Sequence, residues 1–180
     1  MQKKAQFKNG YTFNRVINGC WQLSAEHCLQ GHLDYDDAIR AFHELVEQGF
    51  TTFDCADIYT GVEDFFGGII RERRKAGLRL PQIHTKFVPD LNDLANVTPA
   101  YIENIITRSL RRLGVERLDA VQFHWWDYSV PGMVDVAGEL VRLQEKGLIR
   151  LISTTNFNAV ELRKLIDAGI PVATNQCQYS

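Results

Sequence analysis

No run of about 18 apolar residues occurs in the sequence, so no helix long and apolar enough to span a bilayer is expected. Charge of a single sign is equally scarce. Twenty Lys and Arg against 22 Asp and Glu leave a net charge of -2, which gives no footing for nucleic acid and no charged tail for a membrane surface. The basic run Arg71-Glu72-Arg73-Arg74-Lys75 reads as a solvated helix end. The opening Met1-Gln2-Lys3-Lys4-Ala5 lacks the apolar core of a secretory signal, so a cytoplasmic protein is the expectation. Four cysteines, Cys20, Cys28, Cys55 and Cys177, show neither C-x-x-C nor zinc-ligand spacing. Reduced thiols, with no metal centre, are expected. A glycine-rich phosphate turn is also missing, since the first apolar run leads into Gly19-Cys20-Trp21-Gln22 and not into G-x-G-x-x-G.

What the chain has is a repeating order of elements. With 45% hydrophobic residues it can bury a sizeable core, and no linker-like stretch divides it, so a single domain over 1–180 is expected. Asn9-Gly10 between short alternating runs signals an N-terminal β-hairpin, because both residues tolerate positive φ. Six strands follow, over 15–21, 50–53, 82–87, 118–123, 148–153 and 172–175. Helices separate them, with Asp34 or Asp36, Thr98 and Asn158 as N-caps. Gly67-Gly68 weakens the helix after the second strand. Strands alternating with helices predict an α/β fold with a parallel sheet.

Two architectures share that alternation. A doubly wound sheet gathers its site at one switch point. Here polar residues recur at the end of nearly every strand: Asp54, Lys86, His124, Asn156 and Gln176, with Tyr59 five residues beyond Asp54. Polar groups at successive strand ends can converge on one rim of a parallel barrel, where such barrels do chemistry. The (β/α)8 TIM-barrel type is therefore the expected class.

The same residues predict a proton-transfer site. A tyrosine can protonate a substrate oxygen near neutral pH only if its pKa, ordinarily about 10, is lowered. An ammonium nearby does this by favouring the phenolate. Lys86 is the candidate cation, Asp54 the carboxylate that keeps it charged, and His124 a group able to hydrogen-bond the same substrate oxygen. Each residue alone is more simply a packing or solvated group; together, at consecutive strand ends, they favour a site.

The segment Phe53-Asp54-Cys55-Ala56-Asp57-Ile58-Tyr59, with Glu63 four residues beyond the tyrosine, resembles the signature of the aldo-keto reductase superfamily. Thr85-Lys86 and Gln122-Phe123-His124-Trp125 follow in that family's order, and Thr155-Asn156-Phe157 and Asn175-Gln176 look like its nicotinamide-carboxamide contacts. The resemblance implies hydride transfer from NADP(H) to an aldehyde or ketone. Asp54, Tyr59, Lys86 and His124 would be catalytic, with Tyr59 as general acid. Asp54, Thr155, Asn156 and Gln176 would contact the cofactor, and no metal would be needed. Trp21, Phe87 and Trp125 would wall the substrate pocket, with rim packing as the alternative; Trp126 and Tyr128 could serve either purpose. Thr60 departs from the pattern, standing where the family often has glycine, which here follows as Gly61.

A (β/α)8 barrel needs eight strands and typically about 250 residues, so an incomplete barrel of about six βα units is expected, without strands seven and eight. The family's phosphate contacts lie in that region. Three accounts fit: a fragment of a longer enzyme, a shortened non-catalytic relative acting as a binding or regulatory subunit, or self-association of copies through open barrel edges.

Overall fold

The computed structural model describes residues 3–7, 9–25 and 34–179. Cys28, His27 and His32 lie outside the described residues. Packing divides the chain into two compact units, Met1–His84 with Arg111–Val115, and Thr85–Leu110 with Glu116–Ser180.

The first unit opens with the expected hairpin, β1 (Lys4–Gln6) antiparallel to β2 (Thr12–Asn14). Gly10 takes φ +86°, which only glycine adopts without strain, and its N–H donates to the Phe7 carbonyl at 2.9 Å. Buried Asn14 ties the hairpin down. Its amide donates to the Gly49 carbonyl (2.9 Å) and its side-chain oxygen accepts from the Thr51 N–H (2.7 Å). Strand β3 (Asn18–Gly19) pairs parallel with β4 (Thr52–Asp54). The strand expected over 15–21 is thus only two residues long. The Arg15 N–H is still bonded to Lys3 as a continuation of the hairpin, Val16 and Ile17 are exposed, and Trp21–Leu23 coil into a 3₁₀ turn.

Helix α1 (Tyr35–Glu47) is capped by Asp34, whose carboxylate accepts from the Asp37 N–H at 3.0 Å. Helix α2 (Val62–Lys75) follows β4. Phe42 of α1, Phe53 of β4, and Phe65 and Phe66 of α2 form an aromatic cluster, with Phe42 edge-on to Phe66 at 5.1 Å between centroids. Buried Arg73 donates to the Arg79 carbonyl (2.6 Å), to His43 Nδ1 (2.9 Å) and to the exposed Glu47 (2.5 Å), so the buried guanidinium has a partner for its charge. Strand β5 (Gln82–Phe87) pairs parallel with β4, Asp54 standing opposite His84.

The second unit carries the end of β5, then a 3₁₀ turn at Leu91–Asn96 that the sequence did not signal. Helix α3 (Pro99–Leu113) opens on Thr98, whose hydroxyl accepts from the Tyr101 N–H at 3.2 Å. Then come β6 (Ala120–Phe123), α4 (Met133–Glu145), β7 (Ile152–Thr155), α5 (Ala159–Asp167) and β8 (Val172–Gln176). Asn158 caps α5, accepting from the Glu161 N–H at 2.9 Å. Strands β6, β7 and β8 pair in parallel. The fifth strand was expected to begin at Leu148, but Leu148 donates back to Leu143 to close α4. Ile149 makes only an isolated bridge to Leu118. The pairing therefore slides towards the C-terminus and takes in Thr155. Phe87, Phe123, Trp125, Phe157, Leu140 and Leu165 form the buried core of this unit.

Sheet order follows chain order, β3-β4-β5-β6-β7-β8, with a helix between each pair of successive strands. A doubly wound sheet reverses direction at a switch point; this one does not. The architecture is that of an incomplete (β/α)8 barrel.

Helix α2 runs unbroken through Gly67-Gly68, and one of the two glycines is sterically required. A Cβ at Gly67 would fall 1.9 Å from the Arg112 carbonyl oxygen, whereas one at Gly68 would meet nothing within 4 Å. Gly67→Ala is expected to destabilise the fold by about 1–3 kcal/mol, the usual cost of overpacking. Gly68→Ala should stabilise it by about 0.4–1 kcal/mol through the unfolded chain. Paired urea denaturation curves check both; equal effects at the two positions would contradict the contact.

Candidate active site

In the first unit the candidate residues gather where β4 ends. Asp54 is the last residue of β4 and is buried, with Gly19 beside it on one flank and His84 on the other. Its carbonyl accepts from the Cys20 N–H at 3.1 Å, which fixes the chain just before Trp21. Trp21 is 45% exposed. Tyr59 is half-buried in the loop between β4 and α2. Its N–H donates to Ala56 and its carbonyl accepts from Val62, each at 3.1 Å, so tight turns bracket the tyrosine. Gly61, at φ +83°, starts α2 in a conformation disfavoured for other residues. Cys20 and Cys55 are buried thiols here; Cys177, in the second unit, is exposed.

The second unit brings together most of the remaining residues. Lys86 lies in β5 and is buried. His124 follows β6 directly, its N–H donating to the Phe87 carbonyl at 3.0 Å. Its Nδ1 stands 3.2 Å from the Thr155 carbonyl oxygen. A carbonyl only accepts, so this bond requires the proton on Nδ1. Burial lowers the His124 pKa from its ordinary value, the Lys86 ammonium lowers it further, and the Thr155 carbonyl opposes both. The imidazole is therefore neutral at pH 7, with Nε2 as its acceptor.

Thr155 and Gln176 face each other across β7 and β8, the Thr155 hydroxyl donating to Gln176 Oε1 at 3.4 Å. The next residue, Asn156, donates its N–H to the Gln176 carbonyl at 2.7 Å. Asn156 takes φ +61° and is the only non-glycine residue with positive φ among the described residues. Left-handed backbone outside glycine is uncommon, and it collects at functional positions where the surroundings enforce it. Here the Gln176 carbonyl on one side and the Tyr128 hydroxyl, which donates to the Asn156 carbonyl at 3.2 Å, hold it. Burial, with the charge of Glu161 adding, raises the Tyr128 pKa, so the phenol stays protonated as that bond requires.

The three aromatics expected to wall a substrate pocket lie in different settings. Phe87 has no exposed surface and lies 6.0 Å from the Phe123 ring, while Trp125 is 1% exposed and donates its indole N–H to Val130 at 3.3 Å. Both are buried, inside the unit and not on its rim; of the three, only Trp21 is exposed. Two aromatics that the sequence left undecided touch the site. Trp126, 48% exposed, stands edge-on to His124 at 4.4 Å and is held by its N–H to the Pro89 carbonyl, and Tyr128 supports Asn156. Their position two and four residues beyond His124 was the only signal available.

His124 binds fewer protons folded than unfolded, because its folded pKa lies below the ordinary value of about 6.5. Stability is then unaffected above that value and falls as pH drops from about 6.5 towards the folded pKa. Urea unfolding of wild type and His124→Gln between neutral and mildly acid pH tests this. The variant should lose less stability on acidification, and identical losses would show that His124 titrates normally.

The chain is 31% identical over 179 residues to the chloroplastic pyridoxal reductase of Arabidopsis thaliana, covering 90% of this chain and 48% of that protein. It is 29% identical over 181 residues to a methylglyoxal reductase of Yersinia pestis, covering 99% and 58%. The chain thus spans about half the length of the curated relatives it matches. Among solved structures, an aldo-keto reductase of the silkworm, Bombyx mori, superposes with a TM-score of 0.82 at 22% identity, covering 99% of this chain and 56% of that one. An aldo-keto reductase complexed with NADPH gives 0.82 at 21%, covering 99% and 55%. At that identity the likeness speaks to the fold. The sequence model of the aldo/keto reductase family matches residues 15–180, and the chain belongs to that family.

Proposed function

We propose that this chain carries the catalytic and carboxamide-binding residues of an NADPH-dependent carbonyl reductase acting on aldehydes or ketones. The observation that supports this best is the cluster of Thr155, Asn156 and Gln176 beside His124 in the second unit. A nicotinamide carboxamide needs both a donor and an acceptor, and Asn and Gln side chains offer both. The strained backbone of Asn156 is what a fixed ligand contact would justify. These residues fit the carboxamide end of the cofactor, which when bound supplies the hydride.

The chain's own residues then manage the oxygen and its proton. Tyr59 donates a proton to the substrate oxygen as negative charge develops there. By the family resemblance Lys86 would be the cation that favours the phenolate, and Asp54 its counter-ion and a ribose contact. His124 would bond the alcohol hydroxyl through Nε2. In its neutral form that nitrogen accepts, which suits the hydroxyl of the alcohol; donation to a carbonyl requires a second proton on the ring. Trp126 is an exposed aromatic beside His124 in the second unit, and Trp21 an exposed one after β3 in the first. Two relatives are named for methylglyoxal and pyridoxal, both aldehydes, which supports an aldehyde substrate. Like them, the enzyme would act on small molecules.

Tyr59→Phe is expected to reduce turnover by about 10²–10⁴-fold, the usual loss on removing a general acid, and to leave NADPH affinity nearly unchanged. NADPH consumption on a panel of aldehydes, with a fluorescence titration for binding, measures both. Turnover within a few-fold of wild type would remove Tyr59 from the role, and binding without consumption of NADPH by wild type would favour a regulatory subunit.

A further inference from the structure

The loop that carries Tyr59 leaves β4 at Asp54 and enters α2 at Val62, and a residue distant in sequence grips it. Arg112, in the last turn of α3 and part of the first unit, donates from Nη1 to the Asp57 carbonyl oxygen at 3.1 Å. The same nitrogen reaches Glu63 Oε2 at 3.3 Å, and Nε faces Asp64 Oδ2 at 3.6 Å. Glu63 is 1% exposed, so its charge needs a cation where water cannot serve. The root of Arg112 is fixed as firmly as its tip, because its own carbonyl lies against Gly67 of α2 with no room for a Cβ between them. Nη1 serves the carbonyl and the Glu63 carboxylate while Nε faces Asp64, a planar spread of donors that an ammonium on a flexible stem does not reproduce.

We propose that Arg112 is a positioning residue for Tyr59. It clamps the carbonyl two residues before the tyrosine and so fixes where the phenol is delivered. The proposal deepens the reading above and rests on it for its catalytic consequence, since a misplacement of about 1 Å can cost on the order of 100-fold in rate. The competing role, mere neutralisation of Glu63, makes a different prediction for Arg112→Lys, which keeps the charge and loses the fork.

The test is backbone hydrogen exchange on the protein without cofactor or substrate, comparing wild type with Arg112→Lys. The Tyr59 and Val62 amides should exchange about tenfold or more faster in the variant, the effect of losing a charge-assisted bond on a local opening, while the Phe53 amide in β4 stays as in wild type. Unchanged exchange at Tyr59 and Val62 in the folded variant would overturn the clamp. If Arg112→Lys does not fold, the double variant Glu63→Gln with Arg112→Gln, which leaves no buried charge unpaired, is read in the same way. In the reductase assay Arg112→Lys should lower kcat with the KM for NADPH unchanged. An unaltered kcat overturns the positioning role. The exchange result does not depend on the chemistry assigned to Tyr59, so failure of the clamp and failure of the proton-donor reading are distinguishable.

Discussion

Parallel pairing decides where the candidate residues of this chain can gather. Neighbouring strands that run the same way end on the same side, so the residues at those ends are neighbours in space although far apart in sequence. In the first unit Gly19 and Asp54 are partners at the ends of β3 and β4. In the second, Phe123, Thr155 and Gln176 close β6, β7 and β8, and the backbone bond from Asn156 to Gln176 carries the pairing one step beyond the strand. Each crossover helix returns the chain to the opposite end without disturbing that side. The helices thus separate successive strands, and the strands' last residues share one side.

Much of this was legible in the sequence, and what failed has physical causes. Caps at Asp34, Thr98 and Asn158 were readable because each has an oxygen-bearing side chain placed to accept an orphan N–H at the start of an amphipathic run. The hairpin was readable from Asn9-Gly10. Strand limits were not, because an apolar residue near a strand can serve another partner. Leu148 finishes α4, and Val16 and Ile17 bridge hairpin and sheet while staying exposed. The setting of each aromatic was not legible either. Phe87 closes β5, and Trp125 and Trp126 lie just past β6, yet only three-dimensional packing buries the first two and leaves the third beside His124.

Polar groups in the site are held by partners that set their chemical state as well as their place. The Thr155 carbonyl fixes the proton of His124 on Nδ1, while burial and Lys86 keep the ring neutral. The Tyr128 hydroxyl remains a donor because its surroundings disfavour the phenolate. Backbone carbonyls carry much of this arrangement, and they are invisible in a sequence, since every residue has one. This is why Asn156 could be named from sequence as a contact but its left-handed backbone could not.

The least legible part of the chain is the support beneath Tyr59. Glu63 could be picked out from its spacing to the tyrosine, yet nothing in the sequence connects it to Arg112, 49 residues away. A carboxylate this buried is costly unless paired, and losing one member of such a pair typically costs about 3–5 kcal/mol. Simple stability does not account for the arrangement, since apolar residues of similar size often serve a core as well or better. What the pair offers beyond stability is direction. The guanidinium has bonds to spare after meeting Glu63, and one of them goes to a carbonyl in the loop that presents Tyr59. The glycine at position 67 admits the Arg112 backbone closely enough for that reach. A steric constraint, a buried charge and a loop carbonyl thus meet at one arginine, which is why the loop that bears the proposed proton donor can be irregular and still hold one geometry.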